Sequence, residues 1–332
     1  MKRRKSLAPA RPLRISSGLS AQLDAHSKQE LSRELAAVRR QLGLTTAALE
    51  RERRARVRLP RLIPAARKFK LKGDRIRVCV GDLHGAKQCS ASVAAFLGDL
   101  RVLAPHEIIL GGDIADCGGF LAQHHTLGYV AETEYSYEQD IACANNFLDA
   151  IQRIAPRARI EYLEGNHERR VETWCITQTL RHQRDSEMLR RAMAPEFLLH
   201  LKQRSIAYFR LSECYDGLSV PGIIHRDKCY YFHGITTAKH AAAMTLIRSS
   251  GNSVYFHTHR AQSDIQRRIS VGIIGAWNPG ALCGQQPLWQ HGSPTDWTNG
   301  HAVQFISRTG RFLHLNVPII EGHSDLTALL KQ

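Results

Sequence analysis

The chain has 332 residues, 43% hydrophobic and 23% charged, a composition that excludes a fully disordered chain and is sufficient to bury a core. Its 46 Lys and Arg exceed its 30 Asp and Glu, which gives a net charge of +16. Residues 1–72 hold 20 of the basic and 5 of the acidic residues, so the sequence predicts a basic arm over 1–72 and a near-neutral body over 73–332.

The arm divides into two parts. Residues 1–17 combine prolines with basic residues and predict disorder, whereas residues 18–58 predict a helix that Pro60 and Pro64 end. Its apolar stripe has heptad spacing, with Leu31, Leu35, Val38, Leu42, Thr45 and Leu49. The stripe suits either packing on the body or solvation, and it also suits a short coiled coil that would make the protein a homodimer.

The charge of the arm has three interpretations. A solvated tail is the plain one, and attachment to DNA or RNA through phosphate contacts is the favoured one. The weak aromatic content of the helix disfavours binding to a membrane surface. No run of about 18 apolar residues occurs, so no membrane span is expected.

From residue 75 the pattern predicts strands alternating with helices. The first half has predicted strands over 75–80, 107–110 and 159–163 and predicted helices over 138–154, 168–180 and 181–193. The second half is richer in strands, predicted over 230–232, 254–256, 269–275, 302–306 and 312–317. This order favours an α/β body in which two β-sheets are flanked by helices.

The cysteines indicate a reducing compartment. All eight are scattered, none forms a CxxC motif, and the N-terminus lacks the apolar region of a secretory signal. We therefore expect free thiols and a cytoplasmic protein.

Side chains of metal-binding types follow five predicted strands. They are Asp82 and His84 after the first strand, Asp113 and Asp116 after the second, Asn166 and His167 after the third, His233 after 230–232, and His257 and His259 after 254–256. Ligands of α/β sheets bind beyond the carboxyl ends of strands. Oxygen and imidazole donors suit divalent cations, and two such cations need a carboxylate that bridges them.

The motifs D-x-H, GD, GNH with a following Glu, H and H-x-H resemble those of the calcineurin-like metallophosphoesterases. The resemblance covers Val78–Arg260, and we expect it to continue to about Val317. In layout the chain is also similar to members encoded by bacteriophages. The resemblance implies a double β-sheet sandwich with two divalent metal ions at one edge. We expect these ions to be Mn²⁺, with Fe or Zn²⁺ as the alternatives.

The resemblance also implies a role for each residue of the motifs. The first metal would be held by Asp82, His84, Asp113 and His259, and the second by Asp113, Asn166, His233 and His257. His167 would be the general acid, and Asp116 would orient it. A hydroxide that bridges the two metals would attack the phosphorus atom.

Departures from the family pattern bear on the substrate. Cys117 and Glu164 stand where the Ser/Thr protein phosphatase branch has two arginines that clamp the substrate phosphoryl group. Phe256 stands where the family usually has Gly before H-x-H. We therefore expect a phosphodiesterase or nuclease acting on nucleic acid, with a phosphomonoesterase of the protein phosphatase type as the alternative. A non-catalytic nucleic-acid-binding protein of this fold is a third interpretation, which the intact ligand set disfavours.

Other candidates for substrate contact stay open between two interpretations. Arg169, Arg170 and Arg260 are suited either to phosphate contact or to ordinary surface roles. Trp289 and Trp297 are suited either to base stacking or, more simply, to packing.

Overall fold

The computed structural model describes residues 30, 32–37, 39–40, 74–121, 135–179, 183–286 and 294–326. The chain divides into two units, residues 1–70 and residues 71–332, and each is taken by itself. In the first unit the described residues are helical, and their side chains are exposed. The remainder of the predicted arm, including residues 1–17 for which disorder was predicted, lies outside the described residues.

The described residues of the second unit form two β-sheets with helices beside them. The strands are β1 (Arg75–Val80), β2 (Glu107–Leu110), β3 (Arg159–Leu163), β4 (Ala207–Phe209), β5 (Ile224–Arg226), β6 (Cys229–Phe232), β7 (Ser253–Tyr255), β8 (Gln262–Arg268), β9 (Gly272–Asn278), β10 (Asn299–Ile306) and β11 (Phe312–Ile319). The α-helices are α1 (Ser90–Leu103), α2 (Tyr137–Ile154), α3 (Asn166–Thr179), α4 (Gln183–Met193), α5 (Pro195–Leu198) and α6 (Ala241–Ser249).

The first sheet has the strand order β11–β10–β1–β2–β3–β4, and the second has the order β5–β6–β7–β9–β8. Strands β1 to β4 are parallel neighbours, and so are β6, β7 and β9. Parallel neighbours point their carboxyl ends to the same edge. This arrangement brings the loops after β1, β2 and β3 together, and likewise those after β6 and β7.

Three apolar clusters hold the layers. One lies between the first sheet and helices α1 and α2, where Phe96 of α1 meets Phe147 of α2. A second lies between the two sheets and includes Cys79, Tyr231 and Phe256. The third packs α6 on the second sheet. The body is therefore a double β-sheet sandwich with helices on both sides, as the sequence predicted.

The predicted elements differ from the structure mainly in the second half. The strand predicted over 269–275 is displaced, because its first residues form the turn of the β8–β9 hairpin and Ile269 is fully exposed there. Gly272 permits this turn with a φ of 79°. Helices α1, α5 and α6 and strands β4, β5 and β8 were not predicted.

All eight cysteines are free thiols, as expected. Within the described residues, no helix combines the length and the apolar character that crossing a membrane requires.

Candidate metal centre

The loops after the strands are tied to one another through their backbones. The amides of Asp82, His84 and Gly85 donate to the carbonyl oxygens of Gly112, Asp113 and Ile114 at 2.8–3.0 Å. In the second sheet the Phe256 amide donates to the His233 carbonyl oxygen at 2.6 Å. These bonds fix the positions from which the metal-binding side chains project.

Asp113 occupies the centre of the site and is buried. Its Oδ2 lies 3.2 Å from His233 Nε2, 3.8 Å from His167 Nε2 and 4.0 Å from His84 Nε2. Burial would raise the pKa of Asp113, but the imidazoles of His167 and His233 hold it well below its ordinary value. A buried carboxylate that stays ionised among imidazoles is suited to bridging two cations.

On one side of Asp113 lie Asp82, His84 and His259. His259 Nε2 is 3.4 Å from Asp82 Oδ1 and 3.1 Å from His84 Nε2, so the donor atoms of all three face one point. Burial and the nearby His167 lower the pKa of His84 to about 4. A neutral imidazole has the free lone pair that a metal ion needs.

On the other side lie Asn166, His233 and His257. Asn166 Oδ1 is 2.9 Å from His233 Nε2, and the rings of His233 and His257 are 5.0 Å apart. The His257 amide donates to Asp82 Oδ2 at 3.0 Å, which connects the second sheet to the first. Burial and His233 lower the pKa of His257 to about 4.

The donors fit a two-metal site in which Asp113 is shared. Asp113, His233 and His257 each offer one ligand atom within 4.8 Å of the others, and so do His84, Asp113 and His167. Only oxygen and imidazole donors enter these two groups, which suits Mn²⁺, Fe or Zn²⁺ alike. All seven predicted ligands thus converge at one edge of the sandwich. His167, which was predicted as the acid, joins one group.

His167 and Asp116 lie next to the ligands. His167 Nδ1 is 2.6 Å from the Asp116 carbonyl oxygen and 3.3 Å from Asp116 Oδ1. Burial would lower the pKa of His167, but Asp113 and Asp116 raise it above its ordinary value. Asp116 Oδ1 also lies 3.0 Å from His84 Nδ1, so this carboxylate holds a predicted ligand as well as the predicted acid.

Two buried carboxylates that the sequence reasoning missed organise these loops. Glu168 accepts hydrogen bonds from the amides of Asp113, Ile114, Ala115 and Gly165 and from the Tyr162 hydroxyl. Burial and Asp113 raise the pKa of Glu168 to about 7. Its place directly after GNH was the signal that could have identified it.

Asp140, on α2, accepts from the amides of Asp116 and Cys117 at 3.1 and 2.9 Å and from the Tyr135 hydroxyl at 2.8 Å. Nothing in the sequence near the motifs points to it, because α2 lies about 25 residues further along the chain than the loop that it holds.

Four basic side chains lie at or near the site, and they differ in the groups that they contact. Arg170 lies against His167, with its Nη2 2.9 Å from His167 Nε2, and Lys87 Nζ lies 2.8 Å from Asp116 Oδ2. Arg169 instead pairs with Glu172 at 3.3 Å. Arg260 donates to Asp296 at 3.2 Å and to two backbone carbonyl oxygens. Of these three arginines, Arg170 thus lies against the predicted acid, whereas Arg169 and Arg260 form ion pairs.

The structure describes only one of the two tryptophans that were candidates for base stacking. The Trp297 ring meets His259 edge to face, with centroids 4.1 Å apart, so it packs on a predicted ligand. Trp289 lies outside the described residues.

Phe256, the residue before H-x-H, fills the space above two glycines. A Cβ built on Gly81 would lie 2.8 Å from Phe256 Cδ1, and one built on Gly111 would overlap the ring itself. These glycines immediately precede Asp82 and Gly112. The aromatic ring therefore packs directly against the start of the first two predicted metal-binding loops.

Five predicted ligands have left-handed backbone conformations, with φ between 52° and 74°: Asp82, His84, Asp113, His257 and His259. This region is unfavourable for residues with a Cβ. Five of the thirteen described non-Gly residues with a positive φ are therefore predicted ligands, and strain of this kind is often found where side chains must converge on a ligand.

The comparisons with known proteins agree with this geometry. The model of the calcineurin-like phosphoesterase family matches residues 77–303, whereas curated protein sequences give no match.

Solved structures give weaker similarities. Vps29 of Cryptosporidium parvum is 12% identical with a TM-score of 0.32, over 73% of this chain and 96% of the other. Vps29 of Chaetomium thermophilum is 9% identical with a TM-score of 0.31, over 73% of this chain and 95% of the other. A hypothetical protein of Pyrococcus horikoshii is 7% identical with a TM-score of 0.36, over 77% of this chain and 92% of the other. Similarities of this size do not bear on function, and it is the sequence match over residues 77–303 that shows the chain to be a member of the calcineurin-like phosphoesterase family.

Proposed function

We propose that the protein is a metal-dependent hydrolase of phosphodiester bonds in nucleic acid. The observation that carries the proposal is the sharing of Asp113 by two groups of metal-binding donors at the strand ends. Asp82, His84, Asp113 and His259 would hold one cation, and Asp113, Asn166, His233 and His257 would hold the other. When bound, the two cations supply Lewis-acid stabilisation of charge on the phosphoryl oxygens.

Protein groups provide the proton for the leaving group. Both Asp116 contacts of His167 are made at Nδ1, which leaves Nε2 on the side of Asp113. A proton on His167 Nε2 is therefore available to the departing oxygen. Arg170 Nη2, which can only donate, lies 2.9 Å from that nitrogen, so when Nε2 carries the proton the guanidinium has to turn its positive charge to the substrate phosphate instead.

A diester is favoured over a monoester by the residues around the site. A phosphomonoester is a dianion, and its binding is strengthened by arginine forks. Cys117 is fully buried in the apolar cluster beside the helices. Glu164 is buried and accepts the Leu211 amide at 2.7 Å. Neither position contributes a positive charge, which suits a substrate with one charge on its phosphate.

Assays with bis(p-nitrophenyl) phosphate and p-nitrophenyl phosphate in Mn²⁺ test this proposal. We expect faster hydrolysis of the diester, and loss of both activity and bound metal in Asp113→Asn. Asp296→Asn, which changes a carboxylate in the Arg260 pair, is the matched control and should retain activity. Faster hydrolysis of the monoester would support the protein phosphatase alternative. No hydrolysis of either ester would support a non-catalytic role.

Nucleic acid as the substrate is supported by the charge of the arm. Of the net charge of +16, residues 1–72 carry all but about one unit. Binding through Lys and Arg releases counterions in proportion to the phosphates neutralised, so affinity should fall as salt rises.

Full-length protein in which Arg51, Arg53, Arg54, Arg56 and Arg58 are changed to Gln tests this part. We expect weaker binding to DNA or RNA and a flatter dependence of binding on salt, by about 0.9 in the logarithmic slope for each DNA phosphate that the arm no longer neutralises. Hydrolysis of the chromogenic diester should not change, because that substrate contacts only the site. Unchanged nucleic-acid affinity would indicate another role for the arm, and a changed oligomeric state would indicate dimerisation.

A further inference from the structure

Cys283 is buried beside the predicted first-metal ligands and belongs to none of the three apolar clusters of the described residues. Its amide donates to the Asp82 carbonyl oxygen at 3.1 Å, and its own carbonyl oxygen accepts from Asn299 Nδ2 at 2.8 Å. Four other buried cysteines are members of the apolar clusters formed by the described residues, namely Cys79, Cys117, Cys175 and Cys229, and Cys283 is not. The backbone thus holds this thiol at a fixed place behind the metal site.

The thiol faces the nitrogen of His259 that points away from the other ligands. Cys283 Sγ lies 3.8 Å from His259 Nδ1, whereas His259 Nε2 is the atom that faces Asp82 and His84. The sulfur is also close enough to join a group of possible metal donors with His84 and His259, all within 4.8 Å.

The same arrangement recurs at two other predicted ligands. The Nδ1 atom of His84 is 3.0 Å from a carboxylate oxygen of Asp116, and that of His233 is 2.7 Å from the carbonyl oxygen of Gly111. In each, Nδ1 is held from behind, and Nε2 faces the centre of the site. At His259 the place of the carboxylate or carbonyl is taken by a thiol.

We propose that Cys283 is a positioning residue for His259, which it holds through Nδ1 so that Nε2 is presented to the first metal. The inference rests on the proposed function, because it needs the cation that His259 would bind. A partner at the other ring nitrogen fixes both the tautomer and the orientation of a metal-binding histidine, and removing such a partner typically weakens metal binding about 10–100-fold.

Calorimetric titration of metal-stripped, full-length protein with Mn²⁺ alone tests the proposal. Wild-type protein should bind two equivalents. Cys283→Val replaces the thiol with a slightly larger apolar group and removes the polar atom, so one equivalent should bind about 10–100-fold more weakly while the other is unchanged. Cys283→Ser keeps a hydrogen-bonding atom and should restore most of the affinity. Cys79→Val is the matched control, a buried cysteine in the apolar cluster between the sheets, and both equivalents should bind it normally.

Several results would overturn the positioning role. Two normal equivalents in Cys283→Val would do so, and so would equal weakening of both equivalents or a failure of Cys283→Ser to restore the affinity. A sulfur-to-cobalt charge-transfer band in Co²⁺-loaded wild-type protein that Cys283→Ser lacks would instead make the thiol a direct ligand. Failure of the proposed function looks different, because wild-type protein would then bind no metal or hydrolyse no phosphoester.

Discussion

His167 differs from the other histidines of the site in the role that its Nε2 must have. A general acid needs a proton on Nε2, whereas a metal ligand needs a lone pair there. His167 Nε2 lies 3.8 Å from Asp113 Oδ2, near enough for either role, and the residue also belongs to a donor group with His84. Bound metal, measured beside turnover, separates the two roles.

We expect His167→Asn to lower turnover by about 10²–10⁴-fold while it retains two equivalents of metal. The loss should shrink for diesters with good leaving groups, because these need little protonation. Steady-state rates over a series of aryl diesters, with metal content from atomic emission, provide the measurement. Metal loss in parallel with activity would make His167 a ligand. Asp116→Asn should lose some metal as well, because Asp116 also contacts His84.

The left-handed ligands predict an unusual ranking of substitutions at position 257, where φ is 74°. Gly adopts this conformation without the penalty that a Cβ brings, about 1–2 kcal/mol. In metal-free protein, His257→Gly should therefore have a free energy of unfolding about 1 kcal/mol higher than that of His257→Ala. Urea unfolding of the two variants in EDTA gives the difference.

The control is an exposed position within a right-handed helix. Ala94, on α1, is exposed, and Ala94→Gly should cost about 1 kcal/mol there. If His257→Ala has a higher free energy of unfolding than His257→Gly, as expected for the pair at position 94, then the strain assigned to the backbone of His257 is wrong.

Among the elements, the end of β7 meets the ends of β1 and β2 through one aromatic ring. Phe256 follows β7, and its ring covers Gly81 after β1 and Gly111 after β2. Its burial is complete. The ring and the two glycines are therefore complementary, and each constrains what the other position accepts.

Double-mutant analysis should reveal this coupling. Phe256→Ala should destabilise by about 3–5 kcal/mol because it leaves a cavity, and Gly111→Ala should destabilise because its methyl group overlaps the ring. The double variant should lose less than the two losses combined, by about 0.5–3 kcal/mol. Gly284→Ala is the control, since a Cβ there meets only the Lys87 carbonyl oxygen at 3.7 Å. Additive losses measured by urea unfolding would contradict the coupling.

Elements whose residues form continuous apolar runs were predicted well from the sequence, and the β8–β9 hairpin was not. All four residues of β2 are buried, as parallel strands covered on both faces require. Residues 269–275 were also predicted as a strand, but β9 begins only at Gly272, where the pairing of β8 with β9 sets it, from Gln262 with Asn278 to Arg268 with Gly272. Pairing between strands is a tertiary property, and a single strand pattern does not contain it.

For the molecule as a whole, the two sheets are joined by a buried ionic network as well as by apolar packing. Arg77, on β1, is 1% exposed and bonds Glu107 in its own sheet, Asp227 in the β5–β6 turn and the Tyr231 hydroxyl on β6. Arg75 adds contacts to the same two carboxylates. Burial would raise the pKa values of Glu107 and Asp227, but the arginines outweigh it and lower both.

Lowered carboxylate pKa values add stability that is complete above the ordinary carboxylate pKa, about 4, and is lost as the pH falls further. Arg77→Met leaves both carboxylates without their buried partner and should cost about 3–5 kcal/mol at pH 7. The difference from wild type should shrink as the pH falls below about 4, because the carboxylates then become neutral. Urea unfolding between pH 3 and pH 7 measures it (roughly the range over which Asp and Glu titrate).

Arg159→Met serves as the control. Arg159 also contacts Glu107, at 3.3 Å, but its side chain is 54% exposed, so its loss should cost at most about 1 kcal/mol. Equal losses in the two variants, or a difference that does not change with pH, would contradict the role given to the buried network.

The convergence of the predicted ligands could be anticipated from the sequence because each of them lies next to a strand end and belongs to a short motif. The groups that hold them could not, because they come from distant parts of the chain. Asp140 on α2 holds the amide of Asp116, and Cys283 lies behind His259. Such contacts depend on how the layers pack, and no local pattern marks them.

The left-handed ligands also set a direction for mutation. Strain at Asp82, His84, Asp113, His257 and His259 amounts to on the order of 5 kcal/mol, comparable to the whole stability of a small domain. Glycine would relieve this strain but lacks the side chain that the proposed metals need, so under the proposed function selection for hydrolysis and selection for stability oppose each other at these five positions. In a gene copy released from the need for hydrolysis, mutation would remove these ligands early, and the sandwich around them would become more stable as its chemistry disappeared.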